Sequence, residues 1–187
     1  MRLLRIENVD LNLFEFDWDL TWAAFFMSPE GKIYARYGGR DAKSADSRNS
    51  LEGLRFTMES VLEEHGRNRS AKREDGGSKP LYIKTMPAAK NYTGCIHCHQ
   101  VKEILRQDAI NAGTWNRESI YGYPLPENIG ITLDSVRGNE VRAVEANSLA
   151  FQAGLKPGDI VQAIGATRVQ SPPAACVALM TVCAAVK

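Results

Sequence analysis

The chain has 187 residues, 44% of them hydrophobic, and 23 Lys and Arg against 22 Asp and Glu give a formal net charge of +1. That length allows one large or two small domains, and the near-neutral balance provides no field to hold nucleic acid or an anionic membrane surface. No apolar run reaches the roughly eighteen residues that could cross a bilayer, and four cysteines are too few for a disulfide framework at this size.

Met1-Arg2-Leu3-Leu4-Arg5 has no apolar h-region and no cleavage site, so no signal peptide is visible. Leu20-Thr21-Trp22-Ala23-Ala24-Phe25-Phe26-Met27 is continuously apolar and predicts a strand buried on both faces. Ser28-Pro29-Glu30-Gly31 suits a type I turn. Residues 32–38 then alternate, with Ile33, Ala35 and Tyr37 on one face and Lys32, Tyr34 and Arg36 on the other. The pair predicts a β-hairpin with one central and one more exposed strand, in that order. From Ser50 to His65 the period changes. Leu51, Leu54, Met58, Val61 and Leu62 form a helical stripe, with Ser50 as N-cap and Gly66 as the glycine that ends the helix.

The stretch Phe25-Phe26-Met27-Ser28-Pro29-Glu30-Gly31-Lys32-Ile33-Tyr34-Ala35-Arg36-Tyr37-Gly38-Gly39 resembles the hairpin of thioredoxin-like domains, and the resemblance runs over residues 9–65. It implies a partial thioredoxin-like α/β lobe at residues 1–65. It does not imply the family's redox activity here, because a thioredoxin carries its Cys-x-x-Cys before this hairpin and no cysteine precedes Cys95. Residues 66–80 are polar and predict a linker or long surface loop. The four basic residues from Arg67 to Arg73 have no interleaved aromatics and read as a solvated face.

The segment at 81–122 contains Cys95-Ile96-His97-Cys98-His99, a Cys-x-x-Cys-His run and the pattern of covalent c-type haem attachment. Two thiols add to the two vinyl groups of a haem, and the residue that follows, His99, is carried under the iron as proximal ligand. Two other chemistries use the same atoms. One is a zinc site of Cys95 and Cys98 with one or two of His97, His99 and His65. The other is a dithiol/disulfide pair, as in a thiol oxidoreductase. Only haem attachment needs the histidine directly after the second cysteine, which ranks it first. Val101, Ile104, Leu105 and Ile110 make a helical stripe ending near Gly113, which places Cys98 and His99 at a helix N-terminus, where thiolate is favoured. Met86, Met58 and His65 are candidates for a second axial ligand, and a five-coordinate iron is the alternative. Haem c implies a periplasmic or extracytoplasmic location, with the export signal upstream of Met1.

In the last third, Ile129-Gly130-Ile131-Thr132-Leu133 predicts one strand and Val141-Arg142-Ala143-Val144 a second. Then comes Asn147-Ser148-Leu149-Ala150-Phe151-Gln152-Ala153-Gly154-Leu155-Lys156-Pro157-Gly158-Asp159-Ile160-Val161. Ser148 caps a short helix, Gly154 ends it, Leu155 enters the core, and 157–159 turn into a strand over 160–164, followed by a hairpin at 165–169. Together these elements resemble a bacterial PDZ domain over residues 123–187. The resemblance implies a module that takes the C-termini of proteins or peptides. Asn128, Ile129, Gly130 and Ile131 would form its carboxylate loop, and a helix starting after Ser171 its far wall. The chain stops at Lys187, before the closing strand pair of such a domain, which implies an incomplete module with an exposed sheet edge that a homodimer could cover. Cys176 and Cys183 lie in an alanine-rich apolar stretch and read as small core residues. The expected class is therefore α+β, a partial thioredoxin-like lobe with a mostly β PDZ-like module. No catalytic set is assigned: there is no Gly-x-Ser-x-Gly, and haem would serve electron transfer or sensing.

Overall fold

The computed structural model describes residues 5–18, 22–40, 44, 46–67 and 79–185. Among them are four α-helices and three separate two-stranded antiparallel sheets, an α+β architecture. No helix among the described residues is long and apolar enough to cross a membrane. Residues 68–78 of the polar linker fall outside the described residues.

Strands β1 (Ala23–Met27) and β2 (Ile33–Gly38) form the expected hairpin, with a register shift between Phe26 and Met27. The Gly31 N–H donates to the Ser28 carbonyl at 3.0 Å and closes the turn. The burial order is the reverse of the sequence expectation. β1 is half-buried along its length, whereas Tyr34, Ala35 and Tyr37 of β2 are 6%, 2% and 4% exposed. The cause is tertiary: helices α1 (Leu51–Arg67) and α4 (Pro172–Ala185) both pack on β2. The expected start of the first strand, Leu20 and Thr21, lies outside the described residues.

Ser50 caps α1 as expected, its hydroxyl accepting the Gly53 N–H at 3.0 Å. The helix runs past Gly66, which does not end it, to Arg67. Of the predicted stripe only Val61 is buried, with Leu54 half-buried. Leu51, Met58 and Leu62 are 81%, 47% and 69% exposed, while Gly53, Thr57 and Val61 are buried. The small side of the helix lies inward because the chain approaches it closely there. A Cβ on Gly53 would lie 2.6 Å from the Ser135 carbonyl oxygen and 3.0 Å from the Tyr37 hydroxyl. At Gly66 nothing lies within 4 Å of that position. Helix propensity alone favours alanine over glycine by about 1 kcal/mol, but over-packing costs ~1–3 kcal/mol. Gly53→Ala is therefore expected to destabilise the protein and Gly66→Ala to stabilise it, with opposite shifts of the urea midpoint.

The largest core joins distant stretches of chain. Ile6, Leu11 and Trp18 pack with Ile83, Met86, Ile96, Val101 and Ile104. Thus much of the apolar content of residues 5–18 packs with the cysteine segment, while Phe14 and Phe16 also meet Phe25 of β1 edge-to-face at 5.3 and 5.8 Å. The Leu11 N–H donates to the Leu81 carbonyl at 2.8 Å and ties the two stretches together.

The last third holds β3 (Ile131–Leu133) paired with β4 (Val141–Val144), the single-turn helix α3 (Leu149–Gln152), and β5 (Ala163–Ile164) paired with β6 (Thr167–Arg168). The strand expected from Ile129 starts only at Ile131, because Ile129 closes a 3-10 turn over Pro126–Ile129. Of the strand expected at 160–164, Ile160 makes one bridge to Glu140 and only β5 is regular. Ser148 caps α3 by accepting the Phe151 N–H at 3.1 Å, and Gly154 follows the helix at φ 83°. Ile131, Leu133, Val141, Ala150, Val169 and Ala175 make the local core, with Leu155 packed against it. α4 starts directly after Ser171 and is apolar all round, the pattern of a helix buried on every side. Residues 174–179 are accordingly each under 9% exposed, held between β2 and the β5–β6 hairpin. Cys176, 5% exposed, is the small core residue expected; the Cys183 side chain lies outside the described part.

Candidate functional site

The cysteine run is built outward from one buried residue. Two 3-10 turns, Ile83–Thr85 and Pro87–Asn91, bring the chain to an extended stretch that ends where α2 (Cys98–Asn111) begins. Ile96 is 4% exposed and sits in the largest core. Its N–H donates to Glu7 Oε1 at 3.5 Å, and Arg5 holds that carboxylate from the other side at 3.1 Å. These donors, with the Glu7 backbone N–H foremost, hold the Glu7 carboxyl below its ordinary range. With Ile96 inward, its neighbours Cys95 and His97 are exposed.

His97 is the residue before α2, and its N–H donates to Gln100 Oε1 at 2.7 Å, which fixes the first turn. Val101 and Ile104 are fully buried and set the inward face of the helix. Cys98, one turn ahead of Val101, is half-buried against the same core, and His99 is exposed. α2 ends at Asn111, with Gly113 just beyond it at φ 68°, as the periodicity predicts. Cys95 and Cys98 are both free thiols. The rings of His97 and His99 are stacked, 6.4 Å apart with an interplanar angle of 26°.

The expectation that the helix start favours thiolate at Cys98 is not met. Burial pushes the Cys98 thiol up, and its hydrogen bond to the backbone offsets that only in part. Alkylation follows the thiolate fraction, so the Cys98 rate is expected to keep rising at pH values above the ordinary thiol range. Iodoacetamide labelling with peptide mapping should show Cys95 modified first at pH 7 and Cys98 catching up only in base.

Among the described residues no three His, Cys, Asp or Glu side chains converge to hold a metal ion. His65 is not brought to the cysteines: it lies at the end of α1, with its Nδ1 2.9 Å from the Tyr34 hydroxyl. Met58 sits on the exposed side of α1. Met86 alone of the three axial candidates shares the core against which Cys98 packs, and there it is 8% exposed and serves as filler. Beside α2 runs a polar groove of about 540 Å³ whose lining includes Asn91, Tyr92, Glu103, Arg106 and Gln107, with the Tyr92 hydroxyl donating to Glu103 at 3.0 Å.

The second candidate surface is the loop at 128–131. Asn128 is exposed, Ile129 half-buried, and Gly130 and Ile131 buried. Gly130 has φ 85° and abuts Ser148, where a Cβ would lie 2.1 Å from the serine Cβ. Nearby, Arg48 is 8% exposed and donates to Glu127 Oε2 at 3.3 Å and to Cys176 Sγ at 3.5 Å.

Glu7, which braces the cysteine loop, and Arg48, which reaches the second surface, were not singled out from the sequence. Neither belongs to a motif, and each acts across a long separation in the chain, which periodicity does not report. No protein-family model, curated protein or solved structure matches the chain.

Proposed function

We propose that the chain binds haem c at Cys95, Cys98 and His99 and acts in electron transfer or sensing outside the cytosol. A PDZ-like module at 123–187 would take protein or peptide C-termini, and the β1–β2 hairpin with α1 would be a thioredoxin-like remnant kept as scaffold. The observation that carries the reading is the placement of the motif around one buried residue. Ile96 is anchored in the core, and an exposed Cys95 thiol, a half-buried Cys98 thiol and an exposed His99 imidazole lie around it.

That donor set fits the group. Cys95 and Cys98 would hold the porphyrin by thioethers and His99 would ligate its iron. When bound, haem supplies a one-electron couple or an iron site for a small ligand. The chain's own residues do the rest. Ile96 and Glu7 keep the loop in place, and the His97–Gln100 hydrogen bond holds the turn that carries His99.

The experiment is to produce the exported chain together with haem-maturation machinery and record its spectrum and metal content. A Soret band that survives acid–acetone extraction, with one iron per chain, is expected. A colourless protein with one zinc per chain would replace this reading with a zinc-stabilised binding protein.

A further inference from the structure

The PDZ-like reading places a partner's C-terminus between β3 and α4, and the chain's own N-terminal half lies against the end of β3 and against α4. The strand edge can be located from its hydrogen bonds. The Glu145 N–H donates to the Gly130 carbonyl at 2.9 Å, and the Asp134 N–H to the Glu140 carbonyl at 2.8 Å. Backbone groups alternate sides along an antiparallel strand, so those of Ile131 and Leu133 point away from β4, on the edge where an added peptide strand would pair.

Four contacts bring the N-terminal half onto this region. The start of α1 abuts the end of β3, with the Gly53 Cβ position 2.6 Å from the Ser135 carbonyl oxygen. Arg48 bridges the two walls, Glu127 beside the carboxylate loop and Cys176 on α4. β2 lies on α4, with the Ser171 hydroxyl donating to the Arg36 carbonyl. Glu64 of α1 clamps the far end, 3.0 Å from Arg168 and 2.6 Å from Gln170.

We propose that residues 46–53, with Arg48 inserted between Glu127 and Cys176, are an intramolecular plug in this groove. A peptide ending in a free carboxylate binds there only when the N-terminal half moves off. The proposal rests on the PDZ-like reading of 123–187. A plug lowers apparent affinity by the fraction of molecules that are open, so freeing it raises binding and the exposure of Cys176 together.

The test uses the full chain, Arg48→Ala and Glu64→Gln. Iodoacetamide labelling of Cys176 is followed by peptide mapping, and a fluorescent peptide ending in valine is compared with its C-terminal amide. Expected is a protected Cys176 and no preference for the free carboxylate in the unaltered chain. In both variants labelling quickens about tenfold, and the free carboxylate is preferred by a similar factor. If the unaltered chain already binds the carboxylate peptide as tightly as the variants, the plug is overturned and the PDZ-like reading stands. If labelling quickens but no form prefers the carboxylate, the PDZ-like reading fails and takes the proposal with it. Should Arg48→Ala lose its helical circular dichroism, Glu64→Gln alone decides by the same outcomes.

Discussion

Gly130→Ala is expected to destabilise the protein by about 3–6 kcal/mol, summed from three effects. Gly130 has φ 85°, a left-handed conformation that costs an L-residue ~1–2 kcal/mol. The added methyl carbon would lie 2.1 Å from the Ser148 Cβ and 2.2 Å from its Oγ, so Ser148 must move. Ser148 caps α3 through the Phe151 N–H, and losing a cap costs about 1 kcal/mol. The overlap itself adds ~1–3 kcal/mol because both sides are backbone-fixed. Urea unfolding followed by circular dichroism measures the loss. A shift no larger than that of an exposed surface substitution would mean that the loop at 128–131 does not pack on α3 as described.

Ile96→Ala should be nearly as damaging, by ~2–5 kcal/mol, the cost of truncating a buried isoleucine without refilling the space. Ile96 is 4% exposed among Ile6, Ile83, Met86 and Val101. Since a domain is stable by only about 5–15 kcal/mol, this is a large share of the total. The local consequence matters more for function. Without its anchor, the loop between the 3-10 turn at Pro87–Asn91 and α2 no longer holds Cys95 in place beside Cys98 and His99 at the start of α2. Trp18 lies in the same core at 8% exposure, so its fluorescence reports the loss. The same unfolding curve for Ile96→Val should move much less, by ~0.5–1.5 kcal/mol.

Much of the local structure was legible in the sequence. The β1–β2 hairpin, the Ser50 cap, the Ser148 cap, the end of α2 near Gly113 and the start of α4 after Ser171 all fall where residue chemistry places them. These features depend on neighbours within a few residues. What was not legible depends on distant partners. The buried face of α1 was misread because Gly53 and Thr57 are small and polar, whereas Leu51 and Leu62 carry the hydrophobic pattern to the outside. β2 is the more buried strand because α4 arrives from the other end of the chain. The stretch 5–18 has no clean period, so nothing in it announced that Ile6, Leu11 and Trp18 complete the core beneath the cysteines.

The candidate site divides in the same way. Cys95, Cys98 and His99 were legible because they form a Cys-x-x-Cys-His run, the spacing that the proposed haem attachment requires. Their support was not: Ile96 stands at a position the motif leaves open, and Glu7 lies far upstream. The Cys98 thiol also behaves against the local rule. A helix start favours the thiolate, but half-burial against Val101 and its neighbours outweighs it and pushes the thiol up.

The most direct test of the central claim is the intact mass of the denatured chain after export alongside haem-maturation machinery. The account predicts a mass above the polypeptide by one haem, retained through denaturation, and the bare polypeptide mass for Cys95→Ala/Cys98→Ala. A bare mass for the unaltered chain, in cells that load a co-produced cytochrome c, would contradict it.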